Sequence, residues 1–465
     1  MSDTPARTWN RIKLDYQDMP DRMQKQRHTG VGWLSSTTGA GLILVALAHP
    51  VLADRATVAL VVGLIAITVA IAGTARQGSA QALPRPVGAL AILWLVAMLA
   101  SAATHDVWHP SALLPPVLAV ALIWLGGRLA ATGQQQPVIT SIVIAAVIVA
   151  IHAGLQHFGL DPLSRLDDFP KRAVGPFLNP NHLGSLVACV LPLALSAYLI
   201  LCDRDVQHPW TLRLGLGAAV VAIYSSLLLA GSRGAIWAAL AGSLVVLACF
   251  ARTLALRTRW PAWLPLVVLA MSLMGVTRLL QERAIMEGPA GKVSVGERLQ
   301  ALSNMTGEAA QTDLTVLHRR ILWRAALQVF VQDPVLGAGP GSYQQAGAAI
   351  LDGMPEDPIV VLLQRLHRLE VPRFAHNEWL HSLAETGIAG TLPWSLLVMF
   401  WALTGLLGAW RESTTIQRGA LGACAAVLVH GLVSYPLYLP ATAGIFWILL
   451  GISMYCGRRP TRITI

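Results

Sequence analysis

A chain of 465 residues in which 55% are hydrophobic and only 12% charged lies outside the range of ordinary soluble domains. With a mean hydropathy of +0.58 it reads as an all-α, polytopic membrane protein. The net charge of +10 does not point to nucleic acid, because the arginines fall mainly in short segments between apolar runs, where membrane topology places them.

A span of the hydrocarbon core takes about 20 mainly apolar residues. On that ruler about twelve runs follow one another, beginning near Val31, Ala56, Pro84, Ser111, Pro137, Asn181, Arg213, Gly234, Pro261, Gly390, Gln417 and Pro440. About 30 polar residues precede the first, so no signal peptide is expected. One side of the membrane receives the basic N-terminus, Arg76, Arg85, Arg128, Arg204, Arg213, Arg252, Arg257, Arg259, Arg411, Arg418 and the basic C-terminus. The positive-inside rule makes that side cytoplasmic, with both termini there. The chain thus divides into residues 1–280 with the first nine spans, a large outer loop at 281–373, and residues 374–465 with the last three.

The loop is expected to form a small helical cap. Leu317, Ile321, Leu322, Ala325, Leu327 and Val329 carry helix-like apolar spacing, and Pro334 with the glycines from 337 to 341 ends that helix. The cysteines, Cys189, Cys202, Cys249, Cys424 and Cys456, are odd in number and widely spaced, which argues against a disulfide framework or a zinc site. Phosphate loops, HExxH and nucleophile elbows are missing. The lone Asp203-Arg204-Asp205 falls on the cytoplasmic side, away from the other candidates. No metal and no cofactor are expected.

Topology brings a set of polar residues to the outer face. Arg233, in the turn Gly231-Ser232-Arg233-Gly234, joins two apolar runs with almost no linker, and a charge held at such depth is usually paired or functional. Arg319 and Arg320 stand on the loop helix with Trp323 after them, and arginine suits bidentate contact to phosphate. Asn181 and His182 open the sixth span, with Asn181 the expected helix N-cap. Lys171 and Arg172 just before it are either an anion contact or loop charges. His376 is the residue best suited to act as general base toward a hydroxyl, with Asn377 placed to orient its ring. Glu378, His381 and Glu385 share a second helical face, and His430, inside the eleventh span, reads as structural. Arginines and a histidine beside a bilayer suit a lipid-linked phosphate or pyrophosphate substrate.

At these residues the sequence resembles the O-antigen ligase and O-antigen polymerase superfamily of integral membrane glycosyltransferases. Five ordered pieces carry the resemblance: GPFLNPNHLGSL from Gly175, GSRGAIW from Gly231, RRILWRAALQVFVQDPVLGAGPGSY from Arg319, FAHNEWLHSLAETGIAG from Phe374 and HGLVSYPLYLP from His430. One departure is Ser434, which stands where relatives often carry an aspartate.

The resemblance implies a GT-C-like, metal-independent helical enzyme of the bacterial inner membrane. It implies inverting transfer of a glycan from undecaprenyl pyrophosphate to a hydroxyl acceptor at the periplasmic face, and it maps the functional set onto Arg233, Arg319 and His376. An acceptor sugar on lipid A core would make the chain an O-antigen ligase, the favoured reading. A growing lipid-linked glycan would make it a polymerase, and a serine or threonine a protein O-oligosaccharyltransferase. A solute transporter is the alternative from another class, disfavoured because the halves of the chain do not match and the polar residues gather at one face.

Overall fold

The computed structural model describes residues 84–455 except 109, 161–171, 178, 202–208, 258–263, 284, 289–290, 295–312, 367–368, 370 and 412–414. In chain order the helices are α1 (Arg85–Thr104), α2 (Pro110–Ala131), α3 (Gln135–His157), α4 (Pro180–Ile200), α5 (Trp210–Ala230), α6 (Arg233–Arg257) and α7 (Leu264–Arg283). After a short hairpin, β1 (Ile285–Gly288) with β2 (Gly291–Ser294), come α8 (Leu314–Gln332), α9 (Tyr343–Asp352), α10 (Pro358–Arg365), α11 (Glu378–Arg411), α12 (Thr415–Gly431) and α13 (Pro440–Ser453). The expected runs from Pro84 onward are thus helices, while those near Val31 and Ala56 lie outside the described residues. Among the described residues seven helices are long and apolar enough to cross a membrane, and the protein is a multi-pass membrane protein.

The spans face lipid where their apolar residues are exposed. Ile144, Ile148 and Ile151 on α3 and Leu240, Leu244 and Leu247 on α6 recur at three- and four-residue steps, so each set forms one stripe. Helix α4 is the most enclosed span and packs against α5, α6 and α12. Small residues allow the closest crossings. A Cβ added at Gly242 of α6 would lie 2.4 Å from the Gly422 carbonyl oxygen of α12, and one at Gly451 of α13 would lie 2.0 Å from that of Ile123 on α2. Neither position tolerates a side chain without pushing two backbones apart.

The loop beyond α7 is a helical cap that also contains the β1–β2 hairpin, closed by the pair Gly288 and Gly291. Helix α8 begins at Asp313, whose carboxylate accepts the amides of Thr315 and Val316 and so caps two otherwise unpaired donors. Its buried stripe is Leu317, Ile321, Leu322, Ala325, Ala326 and Val329. Leu327, expected on that stripe, is 45% exposed, because the true period carries the stripe through its neighbour Ala326.

Helix α11 starts at Glu378, a dozen residues before the expected Gly390, because Asn377 caps it there. It is interrupted at Gly387, whose φ of 58° and ψ of −160° lie in a region that glycine alone enters readily. The segment after α8 repairs the break. Ile388 and Ala389 amides donate to the carbonyls of Pro334 and Val335 at 2.9 and 3.0 Å, while those of Ala338 and Gly339 donate to Ala384 and Glu385 at 2.8 and 2.9 Å. From α1, the Ser101 hydroxyl donates to the Leu336 carbonyl at 2.6 Å. The cap is therefore fastened by backbone to the end of the bundle where α1 finishes and α11 begins.

Candidate active site

Four chain segments that are distant in sequence meet under this cap. Arg233 is the first residue of α6, following Gly231, which ends α5 in the left-handed region at φ 60°. Its guanidinium, 10% exposed, forms an ion pair of 2.6 Å with the Asp313 carboxylate. A charge at the end of a span is thus fixed by the N-cap of the cap helix. Burial favours the neutral Asp313 acid, but the Arg233 hydrogen bond and charge, with the Thr315 and Val316 amides, hold its pKa below the usual value.

Arg319 stands about one and a half turns into α8. Among the described residues its guanidinium reaches no hydrogen-bond acceptor, although it lies near Arg233, Asp313 and Tyr435. Burial first, and then Arg233, bring its pKa down to about 10, with Asp313 and Tyr435 opposing. It stays a cation at neutral pH, half-buried and with its fork of donors unengaged among the described residues.

One turn further, the Trp323 indole N–H donates to the His376 carbonyl oxygen at 3.3 Å. That bond holds a strained residue: His376 sits at φ 55°, where non-glycine residues are uncommon and which costs roughly 1–3 kcal/mol. Its ring meets Tyr435 edge-on with centroids 4.9 Å apart, and Nδ1 is buried without a hydrogen-bond partner among the described residues. Burial, followed by the charges of Arg319, His318, His182 and His381, pushes its pKa down to about 3. The imidazole is therefore neutral and able to accept a proton.

Tyr435 links this group to α4. Its ring is stacked on Phe374 at 4.7 Å, and its hydroxyl lies 3.4 Å from His182 Nε2. Burial raises the phenol pKa while Arg319 works against the rise. Arg233, Arg319, His376 and His182, expected at one face from topology, are thus gathered around Tyr435, Trp323 and Asp313. Tyr435 and Asp313 are not among the residues singled out from the sequence, though an acidic residue before Thr315 and an apolar run is a legible capping signal.

Other expected residues take different places. Asn179, rather than Asn181, caps α4, accepting the Asn181 amide at 2.8 Å, because Pro180 with its fixed φ occupies the first helical position. Asn377 does not orient the His376 ring. Its side-chain oxygen accepts the Trp379 and Leu380 amides at 3.0 and 3.1 Å, and its nitrogen donates to the Leu432 carbonyl at 2.9 Å, so it fixes the backbone that carries the histidine. Arg172 donates twice to the Ala230 carbonyl, at 3.0 and 2.7 Å, closing the end of α5 just ahead of the Arg233 turn. Lys171 lies outside the described residues. Arg320 points to the exposed side of α8, about 100° around the helix from Arg319.

His381 belongs to a separate buried layer behind the site. Its Nε2 lies 3.4 Å from the Glu385 carboxylate, which also accepts the Tyr343 amide at 3.2 Å. Glu378 accepts the Leu437 amide at 2.7 Å. Cys189, Cys249 and Cys424 are free thiols, and no group of His, Cys, Asp and Glu suited to a metal occurs among the described residues.

No curated protein matches the chain. Residues 217–395, a span that contains Arg233, Arg319 and His376, match the family model described as O-antigen ligase, and this match supports assignment of the chain to the O-antigen ligase superfamily.

Proposed function

We propose that the chain is an inverting glycosyltransferase of the bacterial inner membrane that moves a glycan from undecaprenyl pyrophosphate to an acceptor hydroxyl at the periplasmic face, most closely an O-antigen ligase acting on lipid A core. The observation that carries this reading is the Arg319 guanidinium. It is a half-buried cation without a hydrogen-bond acceptor among the described residues, next to a second arginine and one helical turn from the residue that pins a neutral, strained histidine. A cation so placed is complementary to an anionic ligand, and the histidine to a hydroxyl.

In this scheme Arg319 and Arg233 bind the donor pyrophosphate. The acceptor oxygen attacks the anomeric carbon from the opposite side, its proton passes to His376, and the bond from that carbon to the pyrophosphate oxygen breaks. The negative charge left on the undecaprenyl pyrophosphate is met by the two guanidiniums. Binding an anion at Arg319 also offsets the charge that depresses His376, so the base strengthens when the donor is in place.

Arg172, Asn377, Trp323 and Asp313 position these groups, and His182 with Tyr435 borders the space between them. Transfer of the glycan to lipid A core by purified protein in lipid nanodiscs, abolished in His376→Ala while donor binding persists, is the expected result. Donor lipid lengthened in the absence of any core acceptor would assign the same site to a polymerase. Unchanged transfer by His376→Ala would remove the histidine from the reaction.

A further inference from the structure

His430 lies on α12, 2% exposed, and the scheme above leaves it without a role. Its surroundings determine where its proton sits. The Ser185 hydroxyl, on α4, donates to the Asn181 carbonyl one turn back at 2.8 Å. A serine has one proton to give, so toward His430 Nδ1, 3.1 Å away, the same oxygen can only accept. Nδ1 therefore carries the hydrogen, and Nε2 is left with its lone pair. The order Asn181 carbonyl, Ser185 hydroxyl, His430 imidazole fixes one tautomer of the ring.

Nε2 faces the start of α6. A Cβ added at Gly234 would lie 3.4 Å from Nε2, 3.2 Å from Cδ2 of the same ring and 2.8 Å from Val433. The missing side chain at Gly234 thus makes room for the imidazole beside Arg233. Arg319 lies near enough for its charge to be felt at His430, and Nε2 has no hydrogen-bond partner among the described residues. A lone pair held in a single orientation at the start of α6, within reach of the Arg319 charge and facing away from the relay that fixes it, is a hydrogen-bond acceptor ready for a ligand.

We infer that His430 Nε2 accepts a hydrogen bond from a hydroxyl of the donor glycan, on the sugar attached to the pyrophosphate. The inference rests on the proposed reading of the arginines as the pyrophosphate grip, which places that sugar next to α6. His376 then serves the acceptor and His430 the donor. His430 is a specificity-determining residue, selecting a sugar that presents a donor hydroxyl at that position.

Two substitutions separate this role from a structural one. In His430→Asn the amide nitrogen stands where Nδ1 was and keeps the bond to Ser185, but nothing replaces Nε2. In His430→Gln the longer side chain carries an amide oxygen toward the Nε2 position and gives up the Ser185 bond. Kinetics of transfer in nanodiscs with the natural lipid-linked glycan should show kcat/KM reduced about three- to tenfold in His430→Asn, as for one lost hydrogen bond. His430→Gln should recover most of the loss, and both proteins should elute as the wild type on size exclusion.

The same loss should appear for wild-type protein with a donor whose first sugar is deoxygenated, with no further loss when that donor meets His430→Asn. A structural role predicts the reverse order, Asn tolerated and Gln impaired, and that result overturns the inference. So does equal kcat/KM in all three proteins. Wild-type protein that fails to transfer from any undecaprenyl-pyrophosphate glycan, yet moves a solute, would instead overturn the functional reading on which the inference rests.

Discussion

Two histidine-bearing layers lie side by side beneath the cap and behave oppositely. In the inner one, His381, Glu385, Glu378 and Tyr343 satisfy one another: the carboxylates accept backbone amides, the histidine meets a carboxylate, and the Tyr343 hydroxyl donates to the Leu322 carbonyl at 2.9 Å. Apart from His381 Nδ1, its polar groups are paired, and the layer joins α8, α9 and α11 into one body. In the outer layer Arg319 has no acceptor among the described residues, His376 is strained with an unpaired nitrogen, and Arg233 is held ready by Asp313. The same residue types thus build a scaffold where their hydrogen-bonding groups meet partners, and a candidate binding site where a guanidinium is left without an acceptor among the described residues.

Substitution should separate the layers. The largest effect is expected for His376→Ala, whose transfer rate should fall by roughly 10²–10⁴, the usual contribution of a general base, with an unchanged unfolding temperature. Glu385→Ala should do the opposite. Removing the carboxylate leaves the buried Tyr343 amide and His381 Nε2 without their acceptor, at roughly 1–3 kcal/mol for each unsatisfied group, so its unfolding midpoint in detergent should drop sharply while the folded fraction binds donor lipid as the wild type does. Full thermal stability in Glu385→Ala would erase the distinction between scaffold and site.

The pH profile sharpens the contrast. With His376 depressed to about 3 by burial and by Arg319, the free enzyme keeps a neutral imidazole well below the ordinary value near 6.5. The acid limb of kcat/KM, which reports the free enzyme, should therefore lie well under that value. The limb of kcat should lie at higher pH, because a bound anion at Arg319 raises the histidine pKa. Coincident limbs near 6.5 would show that His376 does not feel the guanidinium. The smallest effect is expected for Arg320→Ala, whose side chain is on the exposed side of α8: transfer within about twofold of wild type, as for a solvated charge.

Much of this arrangement was legible in the chain. The length of the apolar runs located the helices, and alternation of their direction put Arg233, Arg319 and His376 at one end. Helical period placed Trp323 one turn beyond Arg319, on the same flank, which is why the tryptophan can pin His376 while the arginine faces it. What remained hidden depends on contacts between distant segments. Sequence offers Arg172 as an anion contact or a loop charge and Asn377 as the support of a ring, yet both bind carbonyls, of Ala230 and Leu432, that no local pattern identifies. The break at Gly387 escaped because the apolar run continues through it, and its backbone partners lie some fifty residues earlier. The pairing of Arg233 with Asp313 crosses eighty residues and a hairpin. Only the capping half of Asp313's role has a sequence signature.

The central claim is that Arg319 is the grip for a pyrophosphate and that His376 acts afterwards. Equilibrium binding of undecaprenyl pyrophosphate to purified protein in nanodiscs tests it most directly. Affinity should fall roughly 10- to 100-fold in Arg319→Ala, as for the loss of charge-assisted hydrogen bonds, and stay within twofold of wild type in His376→Ala. Wild-type affinity in Arg319→Ala would contradict the account.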